Sequence, residues 1–133
     1  MDSNCVQAFT SGGQYLYTIG DSGRNRRPFK DPRGLAVDHE QHLLVCDSGN
    51  HRVQVFAEDG SFVTFGCHGK GEGEFDRPQD IAAGTDGHVY VTDYFNNSVR
   101  MFEITQQQRH AMSLPVMLPT LSESTLCSTH TFQ

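Results

Sequence analysis

Half of the chain's ten basic side chains fall within ten positions: Arg24, Arg26, Arg27, Lys30 and Arg33. A cluster this dense attracts phosphates or acidic surfaces even though the formal net charge is -6, because partners respond to the local patch. Tyr94 and Phe95 are adjacent aromatics in a polar stretch, and such rings stack on unpaired bases or anchor protein contacts. With His51, Arg77 and Gln79 they complete a candidate binding set of Arg26, Arg27, Lys30, Arg33, His51, Arg77, Gln79, Tyr94 and Phe95. A second set, Asp47, Asn50 and Arg52 with Asp93 and Asn96, suits a structural brace. Asn and Asp bond readily to nearby backbone, and Arg offers a fork of donors. The chemistry of catalysis is absent from the pattern. The seven histidines are scattered, and none is spaced with a cysteine or carboxylate as metal ligands are. Cys5, Cys46, Cys67 and Cys127 include no pair two residues apart, so this stretch holds no zinc ribbon, RING or B-box. Gly69-Lys70-Gly71-Glu72-Gly73 lacks the Gly-Lys-Ser/Thr ending of a phosphate loop. No catalytic residue, metal or cofactor is expected.

The elements that carry these residues repeat. Phe29–Phe56 aligns with Phe75–Phe102 at a constant offset of 46 without a gap. Pro32 falls on Pro78, Leu35 on Ile81, Ala36 on Ala82, Val45 on Val91, Asp47 on Asp93, Asn50 on Asn96 and Val53 on Val99. A third copy is cut by the chain start, where Val6-Gln7-Ala8-Phe9 matches Val53-Gln54-Val55-Phe56. Each copy reads as short Val-, Leu- and Phe-rich strands between turn residues. In the central copy these are residues 34–37, 43–46, 53–56 and 61–65, with Ala57-Glu58-Asp59-Gly60 a tight hairpin turn. Four antiparallel strands per repeat of 40–50 residues are the signature of a propeller blade. The recurring Phe29, Phe56, Phe75 and Phe102 are expected in the core. Strands that alternate in direction put the loop between the second and third strands on the same face as the link between blades. The candidate binding residues lie in those loops.

The run Gly69 to Pro78 resembles the linker that opens an NHL repeat. Asp80-Ile81-Ala82-Ala83, Asp86 to Asp93 and Asn96 to Phe102 resemble the rest of it. Pro32-Arg33-Gly34-Leu35-Ala36-Val37-Asp38 and Asn50-His51-Arg52-Val53-Gln54-Val55-Phe56 resemble it more closely still. The likeness covers about residues 5–104. Asp80 stands where the family has Gly and Ser98 where it has Arg, so the second copy is expected to be looser at those corners. The resemblance implies an all-β partial β-propeller with one full four-stranded blade and two partial ones. Its divisions are 1–20, 21–66, 67–104 and a tail, 105–133, without regular structure.

The resemblance also implies a binding scaffold for a protein or RNA partner. NHL propellers commonly form the substrate-choosing end of tripartite-motif ubiquitin ligases, which mark proteins for proteasomal degradation. Others act as RNA-binding post-transcriptional regulators on single-stranded RNA, and some NHL-like propellers are metal-dependent peptide lyases. The start of the chain lacks the basic and apolar segments of a secretory signal, and no apolar run reaches membrane-spanning length. Reduced thiols, a cytoplasmic setting and no membrane contact are the expectation. An open blade stack leaves apolar faces in water, so self-association is expected as well.

Overall fold

The computed structural model describes residues 4–20 and 29–113. Its strands form three antiparallel sheets in chain order. The first pairs β1 (Val6–Phe9) with β2 (Tyr15–Ile19). The second runs β3 (Pro32–Val37), β4 (Leu43–Asp47), β5 (Arg52–Phe56) and β6 (Phe62–Phe65). The third runs β7 (Pro78–Ala83), β8 (His88–Asp93) and β9 (Ser98–Glu103). This is a partial β-propeller, and each sheet is called a blade below.

The offset of 46 extends to the hydrogen-bond register. Leu35 faces Val45 and Ile81 faces Val91; Leu43 faces Phe56 and Val89 faces Phe102. It extends even to the unusual backbone. Asp31 and Arg77 have φ of 52° and 58°, and His51 and Asn97 have 55° and 49°. Non-glycine residues seldom adopt this left-handed region, so its recurrence marks a constraint of the blade. Proline opens β3 and β7, where no ladder donor is needed.

Burial tells which blade is covered. In β4, Leu44, Val45 and Cys46 are fully buried, as are Val53 and Val55 in β5. Both faces of the second blade are packed, so β4 reads as an apolar run and even the polar Arg52 and Gln54 of β5 are buried. In β8 buried Val89 and Val91 alternate with exposed Tyr90 and Thr92, the pattern of a strand with one face covered. The larger core lies between the second and third blades: Leu44, Val53, Val55 and Phe65 against Ile81, Val91 and Phe102. The smaller joins Phe29, Val45 and Phe56 to Val6 and Ile19 of the first blade.

Each link is anchored by a phenylalanine against a glycine. A Cβ on Gly20 would lie 2.3 Å from the Phe29 ring, and one on Gly66 would lie 2.4 Å from the Phe75 ring. Phe29, Phe56, Phe75 and Phe102 are all buried.

One element departs from the sequence expectation. Gln106–Ser113, placed above in a tail without regular structure, form helix α1. Thr105 caps it: the Gln108 amide donates to Thr105 Oγ1 at 3.1 Å, and the Thr105 amide donates to Gln108 Oε1 at 2.8 Å. This reciprocal capping box satisfies two donors that a helix start leaves free. Met112 is buried in the larger core, Ser61 Oγ donates to the Met112 carbonyl, and Arg109 pairs with Glu40 at 2.9 Å. Packing and capping thus hold a segment whose polar sequence shows little periodicity. The rest of that tail, residues 114–133, lies outside the described residues.

Cys5 and Cys46 are free thiols. Cys67 is disulfide-bonded, which departs from the expectation of reduced thiols. Burial pushes the Cys46 thiol up to about 12, so it remains protonated. No helix among the described residues is long and apolar enough to cross a membrane.

Candidate partner-binding face

The loop between the second and third strands of each blade is a one-turn 3-10 segment, Ser48–Asn50 or Tyr94–Asn96. An aspartate at the end of the preceding strand holds it against the link. Asp47 is fully buried. Its Oδ1 accepts the Lys30 amide at 2.7 Å. Its Oδ2 accepts from Asn50 Nδ2 at 2.9 Å, Arg52 Nε at 2.6 Å and Gln54 Nε2 at 3.2 Å. Asp93 accepts the Asp76 amide at 2.7 Å and Asn96 Nδ2 at 2.7 Å. With Ser98 at the position of Arg52, the guanidinium comes instead from Arg100, two residues further on, whose Nε lies 3.2 Å from Asp93. The expected looseness at Ser98 is thereby met by a substitute side chain. At the other expected loose corner, Asp80 replaces Gly34. A Cβ on Gly34 would lie 2.7 Å from the Asp80 Cα, whereas Asp80 itself is exposed. Glycine is required at Gly34 because the third blade packs on it at Gln79 and Asp80, and among the described residues no further blade packs beyond Asp80.

These braces gather most of the candidate residues on one face. Arg33 and Arg77 meet at one carboxylate: Asp31 Oδ2 lies 3.1 Å from Arg33 Nη2 and 3.3 Å from Arg77 Nη1. The Arg77 amide donates to His51 Nδ1 at 3.1 Å. Lys30 is exposed, and a Cβ on Gly49 would lie 2.7 Å from its Cγ. The Phe95 amide donates to the Asp76 carbonyl, next to Arg77, at 3.2 Å. Tyr94 and Phe95 are 61% and 56% exposed and touch edge to face at 5.0 Å. Gln79 is half-buried, and its carbonyl packs against Gly34. Arg26 and Arg27 lie outside the described residues.

Three residues here were not singled out from sequence: Asp31, His68 and Asp76. Asp31 neutralises part of the arginine pair. The His68 ring stacks on His51 at 4.2 Å between centroids. Its Nε2 lies 3.5 Å from Asp76 Oδ1, and His51 Nδ1 lies 3.7 Å from the same oxygen. Burial, reinforced by the neighbouring His68 and Arg77, holds the His51 pKa below its ordinary value, with Asp76 and Asp93 opposing. The signal that could have exposed Asp31 was its repeat partner. It sits 46 residues before Arg77, so two like loops bring them together. A further cluster, Asp38, Glu40 and His42, is turn structure. Asp38 Oδ1 accepts the Glu40 and His42 amides at 2.9 and 2.8 Å, and its Oδ2 lies 2.8 Å from His42 Nδ1.

This architecture, a row of antiparallel repeat units with two, four and three described strands, defines an all-β propeller-type scaffold. Residues 29–56 and 75–102 match the family model described as NHL repeat, and the chain carries NHL repeats. It is 36% identical over 47 residues to tripartite motif-containing protein 2 of Homo sapiens, a match covering 35% of this chain and 6% of that protein. It is 35% identical over 48 residues to protein brain tumor of Drosophila melanogaster, covering 36% of this chain and 5% of that protein. The chain therefore spans only a small fraction of the length of the curated relatives it matches. A solved structure of a streptogramin B lyase superposes with a TM-score of 0.56 at 19% identity, over 79% of this chain and 32% of that one. That likeness shows the propeller fold alone.

Proposed function

We propose that this face binds a protein partner, and that within a tripartite-motif-type ubiquitin ligase it chooses the protein to be modified and degraded. The observation that carries the reading is the exposed Tyr94–Phe95 pair. In the second blade the same positions are Ser48 and Gly49, so the fold does not require aromatics there. Aromatic and arginine side chains dominate the energetics of protein interfaces, and here a braced turn presents them beside Arg77. Charge supports the choice of partner. Asp31 lies between Arg33 and Arg77, giving the mixed polarity of a protein-binding rim more than the uniform positive groove of a phosphate binder. The relationship to tripartite motif-containing protein 2 supports the ligase setting.

The test replaces Tyr94 and Phe95 with the residues of the other blade, Tyr94→Ser with Phe95→Gly. The expected result is loss of nuclease-resistant partners from pull-downs, with the thermal transition unchanged. Partners retained by this variant would remove the aromatic pair from the reading. Single-stranded RNA on the same face, as in a post-transcriptional regulator, is the second reading, supported by the adjacent guanidinium groups of Arg33 and Arg77. It requires binding that collapses with salt as counterions are released and that Arg33→Glu weakens.

A second contact surface lies on the outer face of the third blade. Tyr90, Val99 and Met101 are exposed there, at the positions that Leu44, Val53 and Val55 occupy fully buried in the second blade. That face fits another blade, from a second copy or from further chain.

A further inference from the structure

We propose that His51, His68 and Asp76 form a binding site for a first-row divalent cation of the zinc class, seated where the second blade meets the link to the third. One ligand atom from each of the three lies within 4.8 Å of the others. Asp76 Oδ1 is 3.7 Å from His51 Nδ1 and 3.5 Å from His68 Nε2. Ligands about 2.0–2.1 Å from a tetrahedral zinc ion stand about 3.4 Å apart, so these pairs need only small movements to close on a cation. Two imidazoles and one carboxylate suit zinc, nickel or copper, whereas calcium and magnesium favour oxygen shells. The remaining position would be open to water or to a group from a partner, because His68 is exposed.

The backbone holds the ligands in place before any ion arrives. His68 and Phe75 form a parallel bridge, and the Phe75 amide donates to the Cys67 carbonyl at 2.8 Å. Phe75 itself is locked under Gly66. Asp76 is fixed on both sides, by its own amide on Asp93 and by its carbonyl accepting from Phe95. His51 Nδ1 accepts the Arg77 amide at 3.1 Å, so that nitrogen carries no proton and its lone pair is engaged by the Arg77 N–H, with Asp76 Oδ1 3.7 Å away. A cation there exchanges this single neutral hydrogen bond for a metal–nitrogen bond.

Comparison between the blades argues that the trio is not demanded by the fold. The left-handed residue after the 3-10 turn is His51 in one blade and Asn97 in the other, with φ of 55° and 49°. Asn accepts that conformation more readily than His does. Asp76 likewise has Lys30 as its repeat partner. The scaffold tolerates other residues at both positions, yet in this blade junction two ligand types coincide with His68.

The experiment is calorimetric titration of the metal-stripped full chain with Zn²⁺, followed by the visible spectrum of the Co²⁺ form. The variants are His51→Asn, which borrows the residue of the other blade at the same turn, and His68→Ala at an exposed position. The expected result is one equivalent of Zn²⁺, weakened about tenfold or more by either variant, with a Co²⁺ spectrum free of thiolate bands. Absence of uptake, wild-type affinity in either variant, or a thiolate band would overturn the proposal. Wild-type affinity in both would move the ion elsewhere, for example to Asp38, Glu40 and His42.

Discussion

Asp47 collects one backbone amide and three side-chain donors while fully buried. Removing it leaves the Arg52 guanidinium, with a side chain 4% exposed, without its carboxylate. Breaking a buried pair in this way costs about 3–5 kcal/mol. Asp47→Ala is therefore expected to unfold the blade at much lower urea than wild type. Arg100→Ala, which removes a longer contact from a side chain 26% exposed, should shift the midpoint far less than Arg52→Ala. Equal shifts would show that the substitute brace matches the original. The titration of histidines gives a second prediction at this scale. Burial lowers the His51 pKa, whereas the hydrogen bond to Asp86 raises that of His88, with Glu103 assisting and desolvation opposing. A His raised in the folded state adds stability that is complete below its unfolded value, near 6.5, and is lost as pH rises through the folded value. His51 acts in the opposite sense, adding stability as pH rises from its folded value toward about 6.5. Ring-proton NMR should find His51 titrating below 6.5 and His88 above; the reverse order would contradict both causes. The Asp47 brace was legible in sequence because Asp47 and Asn50 recur as Asp93 and Asn96 at one spacing. The His51–His68–Asp76 cluster was not, because its members are 17 and 8 residues apart and meet only when the link folds back on the loop.

Gly66 and Gly60 separate two uses of glycine in the strands' connections. Both have positive φ, 102° and 90°, but only Gly66 faces a buried ring, while nothing lies within 4 Å of a Cβ on Gly60. Gly60→Ala is expected to cost about 1 kcal/mol of backbone strain. Gly66→Ala must also displace Phe75 and should lower the melting temperature by clearly more. Similar losses would show that Phe75 can move aside. Helix α1 gives an independent check, since its start rests on Thr105 and Gln108. Thr105→Ala should cost about 0.5–2 kcal/mol, visible as faster amide exchange in residues 106–109 with the sheets unaffected. The strands were readable because two gapless copies reinforce each other, so a weak pattern in one is confirmed in the next. The helix occurs once. Its interior of Gln106, Gln107, Gln108, Arg109 and His110 supplies no apolar stripe, and Met112 is the apolar side chain among those described that reaches the core. The Thr105-to-Gln108 spacing was the one local sign of it, and tertiary packing does the rest.

The whole stack is directional. Its outer face beyond the third blade carries Tyr90, Val99 and Met101, exposed by 37%, 64% and 59%. The other end carries Phe9, Tyr15, Leu16 and Tyr17 on the two-stranded first blade, all exposed. Where the second and third blades meet, the equivalent positions Leu44, Val53 and Val55 are fully buried, and full burial of such side chains is worth roughly 1.5–3 kcal/mol each. An end that buries them against another chain gains in the same way. Because the two ends differ, head-to-tail contact is heterologous and does not close after one pairing, so it yields a ladder of sizes or a ring. Contact between two identical outer faces is self-complementary and stops at a dimer. Sedimentation of this 133-residue chain at rising concentration distinguishes them. Association of either kind should disappear in the double variant Val99→Glu with Met101→Glu, which places two carboxylates where a neighbouring blade must pack. Loss of the ladder with retention of a dimer would assign the dimer to the Tyr15–Tyr17 end. A wild-type chain that stays monomeric at every concentration would remove both modes of association.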